Sequence, residues 1–403
     1  MNKPNKITLV ESLPLAVGSI IGSGILFLPS LTYLTSRNDV ILSWLLTLSF
    51  VIPGIFYFIS TVSKLKPSSI SLDSVVELGL GKEIGNAVNF LLIGTVILGM
   101  PASTIIVGKY ISEYFGLEIF NLLVPNVLLI LAVVFNSFRA KLFSTLCWII
   151  TLALLLFSLA LVQSTNMPIQ SYPVFSPDFN FQSIASGTLL SFWAFAGFEN
   201  LTFLYHEFKN PKKHLLLSSL ISILVCGLLY IALVANYSAL IPYYEIKSEL
   251  GLMQILAYSQ RDYLGKVLIG FSLLAVFLNL IAWTKGVDVI QKKIKLDFFP
   301  RLTNEGRKFT LLVIFLLSVN LQLAFQNHFN FILTQVSSNF LIVYLISIVA
   351  CGVTIKQIKQ RIVMFLMVFC ILITLSTASY LLLYPFILFV LGIFLSAARA
   401  GDL

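Results

Sequence analysis

The chain has 403 residues, of which 58% are apolar and 11% charged, with a mean hydropathy of +0.96. That composition leaves too little polar surface for a soluble body of this size, so the chain reads as an integral membrane protein. Its net charge of +9 alternates loop by loop instead of forming one patch, which argues against a nucleic-acid partner.

The apolar runs are continuous and lack period-2 alternation, so they predict helices and not barrel strands. At about 20 residues per crossing, twelve transmembrane helices are expected near 8–34, 40–63, 84–115, 121–137, 142–164, 183–206, 215–241, 262–288, 309–325, 331–353, 362–380 and 383–398. Two runs too long for one crossing are divided at "FQNHFN" (Phe325–Asn330) and around Tyr380–Pro385. The first run is too long for a signal h-region and lacks an A-x-A-like cleavage site, so it is expected to stay as the first span. With the N-terminus inside, all of the 26 Lys and Arg residues except Arg37, Lys109, Lys247, Arg261 and Lys266 fall on the inner side. This predicts both termini in the cytoplasm.

The first span contains "GSIIGSGILFLP" (Gly18–Pro29), with glycines and serines where a membrane helix should continue unbroken. Gly22-Ser23-Gly24 lacks the Cβ atoms that shield a backbone, and glycine tolerates unwound geometry. An unwound turn creates a new helix N-terminus whose N–H groups and positive dipole end accept a carboxylate, while carbonyls freed at the preceding half-helix accept an ammonium. Small residues here also permit close helix packing, the competing reading.

Next along the chain, "LDSVVELGLG" (Leu72–Gly81) has helical apolar spacing and is expected along the inner interface. The outer segments Thr165–Gln182 and Pro242–Arg261, the latter with a short surface helix, and the basic inner segment Gln291–Lys308 are the longest connections. None is large enough for a soluble domain, so a single polytopic domain, 1–403, is expected.

The sixth span repeats the oddity of the first. "SFWAFAGFENL" (Ser191–Leu201) carries Ala196-Gly197 and the one acid deep in a predicted span, Glu199. Burying a carboxylate there costs roughly 2.5–3.5 kcal/mol on insertion scales. It therefore faces a cavity, a partner or a proton, in gating, proton coupling or stabilisation of the break; a purely structural acid accepting bonds from unwound N–H groups is the alternative. Trp193, Phe195 and Phe198 flank the break, as cavity lining or as packing. Two interrupted helices, each opening a group of about five spans, point to an inverted-repeat transporter with its substrate at the midplane. The repeats are taken as 1–164 and 183–353, with two peripheral helices in 362–398. No other charge lies deep, which argues against a strongly charged substrate.

Cys147, Cys226, Cys351 and Cys370 sit in apolar spans without C-x-x-C spacing and read as small core hydrophobes. His206, His214 and His328 are scattered at span ends, so neither a metal site nor a cofactor is expected. No acid–base pair or nucleophile motif appears at membrane depth, which argues against an enzyme.

At the two interrupted spans the chain resembles the amino acid–polyamine–organocation superfamily. "LPLAVGSIIGSGILFLPS" is similar to that family's first-helix motif, and "FWAFAGFENLTFLYHEFKNPKKH" to its sixth helix and following inner loop. The second stretch looks closest to the bacterial exporter branch for methionine and branched-chain amino acids. The resemblance implies an all-α fold with a five-plus-five inverted repeat of the LeuT-like kind, broken helices 1 and 6, and two peripheral helices, in the bacterial inner membrane. It implies that Ser23, Gly24 and Ile25, with Gly22, hold the substrate carboxylate through backbone N–H groups. Carbonyls near Ser19, Ile20 and Phe195 would take the amino group, beside Gly197 and Phe198. Trp193 matches the position of a gating tryptophan in family antiporters, and Glu199 an acid tied to pH response.

The sequence departs from the family in two places. Sodium-coupled relatives use paired hydroxyls on the eighth helix, whereas "GFSLLAVFLNLIAWTKG" (Gly270–Gly286) offers Asn279 and Thr284 without such a pair. Lys141 precedes the fifth span and does not fall at its middle, where some proton-coupled relatives carry a lysine. By elimination a proton is the expected coupling ion. The expected activity is secondary transport of a small neutral, hydrophobic amino acid (methionine, leucine, isoleucine or valine) as exporter or exchanger, with membrane lipid as the other partner. A non-transporting sensor or assembly partner on the same scaffold is the alternative, and a channel ranks last for want of a polar stripe.

Overall fold

Where no water reaches the backbone, each segment must satisfy its own N–H and C=O groups, and the described residues accordingly form helices. The computed structural model describes residues 6–62, 64–65, 70–135, 146, 149, 153, 156, 180–246, 249–254, 262–294, 304–325 and 329–400. Among them there is no strand; an isolated parallel bridge pairs Ile7 with Phe208. The α-helices are α1 (Leu9–Ile20), α2 (Gly24–Ser36), α3 (Val40–Val62), α4 (Leu72–Leu80), α5 (Lys82–Phe115), α6 (Phe120–Val134), α7 (Phe181–Phe192), α8 (Pro211–Leu240), α9 (Asp262–Ile294), α10 (Asn304–Ala324), α11 (Phe329–Thr354), α12 (Ile358–Ser376) and α13 (Leu383–Ala400). A 3₁₀ stretch, Phe198–Glu207, follows α7 after a short turn.

The expected span 8–34 is two half-helices, α1 and α2, and the expected span 183–206 is α7 followed by the 3₁₀ stretch. The divisions at "FQNHFN" and near Tyr380 fall between α10 and α11 and between α12 and α13. Eight helical stretches among the described residues are long and apolar enough to cross a membrane, with α2 and α3 counted as one run, Gly24–Val62. The difference from twelve has a local cause: half-helices and the 15-residue α6 are short, and the 3₁₀ turn Arg37–Asp39 joins α2 to α3. The expected span 142–164, with Cys147, falls almost wholly outside the described residues, as do Lys141, His328 and most of Thr165–Gln182.

α5 is the central element, packed by α4, α6, α9, α10, α11 and α13. Leu72, Val75 and Val76 of α4 are buried, and that helix lies against α5 and α11. α1 packs on α8 and α9, and α2 on α7 and α8. Short polar side chains fasten α7 to α2 and α3. Ser36 Oγ donates to the Ser183 carbonyl at 3.1 Å, Thr47 Oγ1 lies 2.6 Å from Ser191 Oγ, and a Cβ on Gly187 would come within 1.7 Å of Ser36 Oγ. This is the small-residue, hydroxyl-bonded contact expected between helices in lipid. Large apolar side chains such as Leu317, Phe365 and Phe394 stay exposed on α10, α12 and α13, as a hydrocarbon surrounding allows.

Candidate functional site

The first interruption begins cleanly. A capping box starts α1, with Glu11 Oε2 accepting the Thr8 N–H at 2.9 Å and Thr8 Oγ1 accepting the Glu11 N–H at 3.4 Å. α1 ends at Ile20, Ile21 turns to an extended conformation with ψ 105°, and α2 restarts at Gly24. Positive φ is confined to Gly81, Gly116 and Gly197 among the described glycines, so Gly22 and Gly24 are required for space and not for backbone freedom. A Cβ on Gly22 would lie 2.6 Å from Asn279 Cγ, and one on Gly24 would lie 2.9 Å from both Leu28 Cδ1 and the Tyr230 hydroxyl. Those contacts correct the expectation that unwound geometry selects glycine at these positions.

The second interruption does need that freedom. Ala196 is extended and Gly197 takes φ +124°, where a Cβ would also come within 2.2 Å of the Ser19 carbonyl oxygen. Glu199 acts as a local cap: its Oε2 accepts the Gly197 N–H at 2.9 Å and the Tyr344 hydroxyl at 2.5 Å. Its Oε1 is buried with no partner among the described residues.

The two interruptions touch. Ser19 Oγ lies within hydrogen-bond reach of the Gly197 carbonyl (3.0 Å) and the Ala16 carbonyl (2.9 Å), while Asn279 Nδ2 donates to the Ser19 carbonyl at 2.8 Å. Asn279 thus ties α9 to the end of α1. In the sequence it showed only as a lone amide in an apolar run.

Beside this junction lies a small cavity. Ile20, Gly22, Ser23 and Gly24 form one wall, and Trp193, Ala194 and Ala196 another. α5 contributes Thr95, Val96, Gly99, Met100 and Ser103; Tyr230, Asn279, Trp283 and Phe340 complete the enclosure. None of these side chains is charged. The polar side consists of the start of α2, where the Leu26 N–H bonds the Ser23 carbonyl at 2.9 Å and the N–H groups before it lack intrahelical acceptors, the Asn279 amide and the buried Tyr230 hydroxyl, which has no partner among the described residues. The other side is apolar, from Val96, Met100, Trp193, Trp283 and Phe340. Such a cavity suits a small molecule with a compact polar head and an apolar tail.

Of the candidates read from sequence, Ile20, Gly22, Ser23, Gly24 and Trp193 line this cavity. Ser19, Ile25, Phe195 and Gly197 are buried around it. Phe195 packs edge-on to Trp44 and Tyr230, with centroids 5.9 and 6.4 Å away. Phe198 turns to Phe58 and Tyr344 and lines a separate apolar cavity of about 410 Å³. Trp193 meets Phe27 edge-on at 5.8 Å, and Phe27 meets Phe329 at 5.9 Å. Over Phe329 sits the Lys109 ammonium, 5.0 Å from the ring centroid, ion-paired to Glu249. Tyr230, Met100, Trp283 and Phe340 carried no signal in sequence, because an aromatic or methionine within an apolar run does not reveal which face it presents.

A family model described as amino acid permease matches residues 7–398. Among curated proteins, the chain is 27% identical over 233 residues to an uncharacterized amino acid permease, YecA, of Bacillus subtilis, covering 56% of this chain and 54% of that protein. It is 22% identical to the L-methionine/branched-chain amino acid exporter YjeH of Escherichia coli, with the same coverage. These two matches span about half the length of those relatives, 54% of each. A putrescine transporter, PotE, of Haemophilus influenzae is 22% identical over 88% of this chain and 86% of its own. Among solved structures, a manganese transporter of Eremococcus coleocola superposes with a TM-score of 0.58 at 14% identity, over 98% of this chain and 93% of that one. That likeness shows a shared fold.

Proposed function

The chain belongs to the amino acid permease family, and from that premise we propose that it is a secondary transporter of a small neutral amino acid with an apolar side chain, of the methionine, leucine, isoleucine or valine kind. The observation that carries this reading is the uncharged cavity enclosed by both helix interruptions, polar toward the start of α2 and apolar toward Trp193, Met100 and Phe340. In this reading the α-carboxylate meets the N–H groups of Ser23, Gly24 and Ile25 at the positive end of α2. The ammonium meets carbonyls at the end of α1 near Ile20. Asn279 already occupies the Ser19 carbonyl, so Ser19 serves by holding the two interruptions in register.

The scaffold is twelve spans in a five-plus-five inverted repeat with two peripheral helices, both termini cytoplasmic, working by alternating access around the fixed site. Trp193 closes one side of the cavity through its edge contact with Phe27. Glu199, capping the second interruption while keeping one oxygen open, takes and releases the proton that couples export or exchange.

Counterflow of radiolabelled methionine and leucine in proteoliposomes tests this, with Glu199→Gln alongside and pH varied on each side. Saturable counterflow with a pH response lost in the variant is the expected result. Folded protein that binds either amino acid without counterflow would instead favour a sensor, and absence of both would overturn the substrate assignment.

A further inference from the structure

A second, narrow cavity adjoins the first and shares with it only Val96 and Trp283. Its polar wall comes from two places far apart in sequence: Glu199, Asn200 and Thr202 on the second interrupted helix, and Ser71 and Asp73 at the start of α4. Two polar atoms on this wall, Glu199 Oε1 and Asn200 Nδ2, are buried with no partner among the described residues; their residues are 4% and 8% exposed. An open acceptor and an open donor on one wall are what a buried water satisfies, with two to four hydrogen bonds per molecule. Asp73 is half-buried, and its residue opens the first turn of α4. It shares the cavity lining with Glu199, a carboxylate that has almost no exposure of its own.

We propose that Asp73 and Glu199 are the two ends of a proton path that is separate from the substrate cavity. A proton is taken up by the Asp73 carboxylate, crosses the cavity along hydrogen-bonded water, and binds Glu199 Oε1, the oxygen that Gly197 and Tyr344 leave open. Release runs in reverse; one O–H bond breaks as the next forms, and no electron is transferred. The neighbouring elements bring other ionisable groups. Tyr344 on α11 donates to Glu199 directly. Lys285 and Asp288 on α9 flank the lining residues Gly286 and Val287, and Lys82 and Glu83 open α5 beside α4. On α1, Glu11 is held by Thr8, and on α8, His214 packs against Phe208. Glu199 and Asp73 are the carboxylates that line this cavity among the described residues.

The inference rests on the transporter reading, and the experiment separates the two. Full-length chain in proteoliposomes is assayed for leucine counterflow at equal pH and for leucine movement driven by an imposed pH gradient. In Asp73→Asn the ratio of gradient-driven rate to counterflow rate is expected to fall about a hundredfold, the low end of what one positioned proton-transfer group contributes, and Asp73→Glu keeps it. Asn200→Leu, which removes the open donor and fills the water space, lowers the same ratio and decides the matter if Asp73→Asn is lost from the membrane. A merely structural role for Asp73 would lower both rates together. An unchanged ratio in Asp73→Asn or Asn200→Leu overturns the path, as does a wild type whose leucine movement ignores the imposed pH gradient while its counterflow stands. A wild type without counterflow removes both readings.

Discussion

The two helix interruptions both unwind a helix among buried residues, with different chemistry. At the first, Ile21–Ser23, ordinary negative φ values suffice, and the glycines serve by absence: Asn279, Leu28 and Tyr230 press into the space a Cβ would fill. Its backbone faces the cavity. At the second, Gly197 adopts a conformation that side-chain-bearing residues rarely take, and an acid two residues on caps the freed N–H. Most of its polar groups are satisfied within the protein, by Glu199, Ser19 and Tyr344. In the proposed reading the first interruption meets the ligand with its N–H groups, whereas the second supports it and closes its own internally. The two are complementary halves of one junction.

That contrast is open to attack, beginning with its most rigid point. Gly197→Ala should abolish counterflow and lower membrane abundance and thermal stability together, because strain of about 1–3 kcal/mol adds to a clash with the Ser19 carbonyl that neither backbone can relieve. A thermal melt in detergent alongside counterflow checks it, and a stable, active variant would refute the supporting role of this break. Next in size, Gly24→Leu should abolish counterflow at normal abundance by filling the cavity, whereas Gly24→Ala, which needs only the Leu28 tip and Tyr230 hydroxyl to shift, keeps part of it. Equal loss in both would move Gly24 from the ligand wall to the packing.

Glu199 divides by substitution. Gln retains an acceptor for the Gly197 N–H, so counterflow persists while pH response disappears. Ala leaves the Gly197 N–H and Tyr344 hydroxyl unpaired, at about 1–3 kcal/mol for each unsatisfied group, and lowers stability as well. Similar melting temperatures for the two variants would show that capping contributes little. The smallest effect is Ser19→Ala, which removes the bond to the Gly197 carbonyl and should cost about 1 kcal/mol; a melt shows the loss, and substrate KM rises modestly.

Both interruptions were legible in sequence because glycine pairs and a lone acid are local exceptions in an apolar run, and lipid penalises such exceptions unless something compensates. The ends of α3, α5, α8 and α11 also lie close to the expected spans, since each contains one continuous apolar run. The side chains around the site were less legible. Phe195 and Phe198 flank the second break as Trp193 does, yet only Trp193 lines the cavity; a span apolar on every face offers no moment to tell which ring turns where. Asn279 read as an inadequate partner for a coupling ion, and in the folded chain it bridges the end of α1 to α9.

By itself, then, the sequence determined that this chain is helical, belongs in lipid, and breaks two of its helices at depth, because burial of backbone and charge in hydrocarbon is a local energy that each segment settles alone. Only the tertiary structure decided that the breaks meet at Ser19 and Gly197, that one faces the cavity while the other is closed by Glu199 and Tyr344, and that Asp73 shares a chamber with Glu199. Those are contacts between residues up to 178 positions apart, and their geometry follows from how the helices pack.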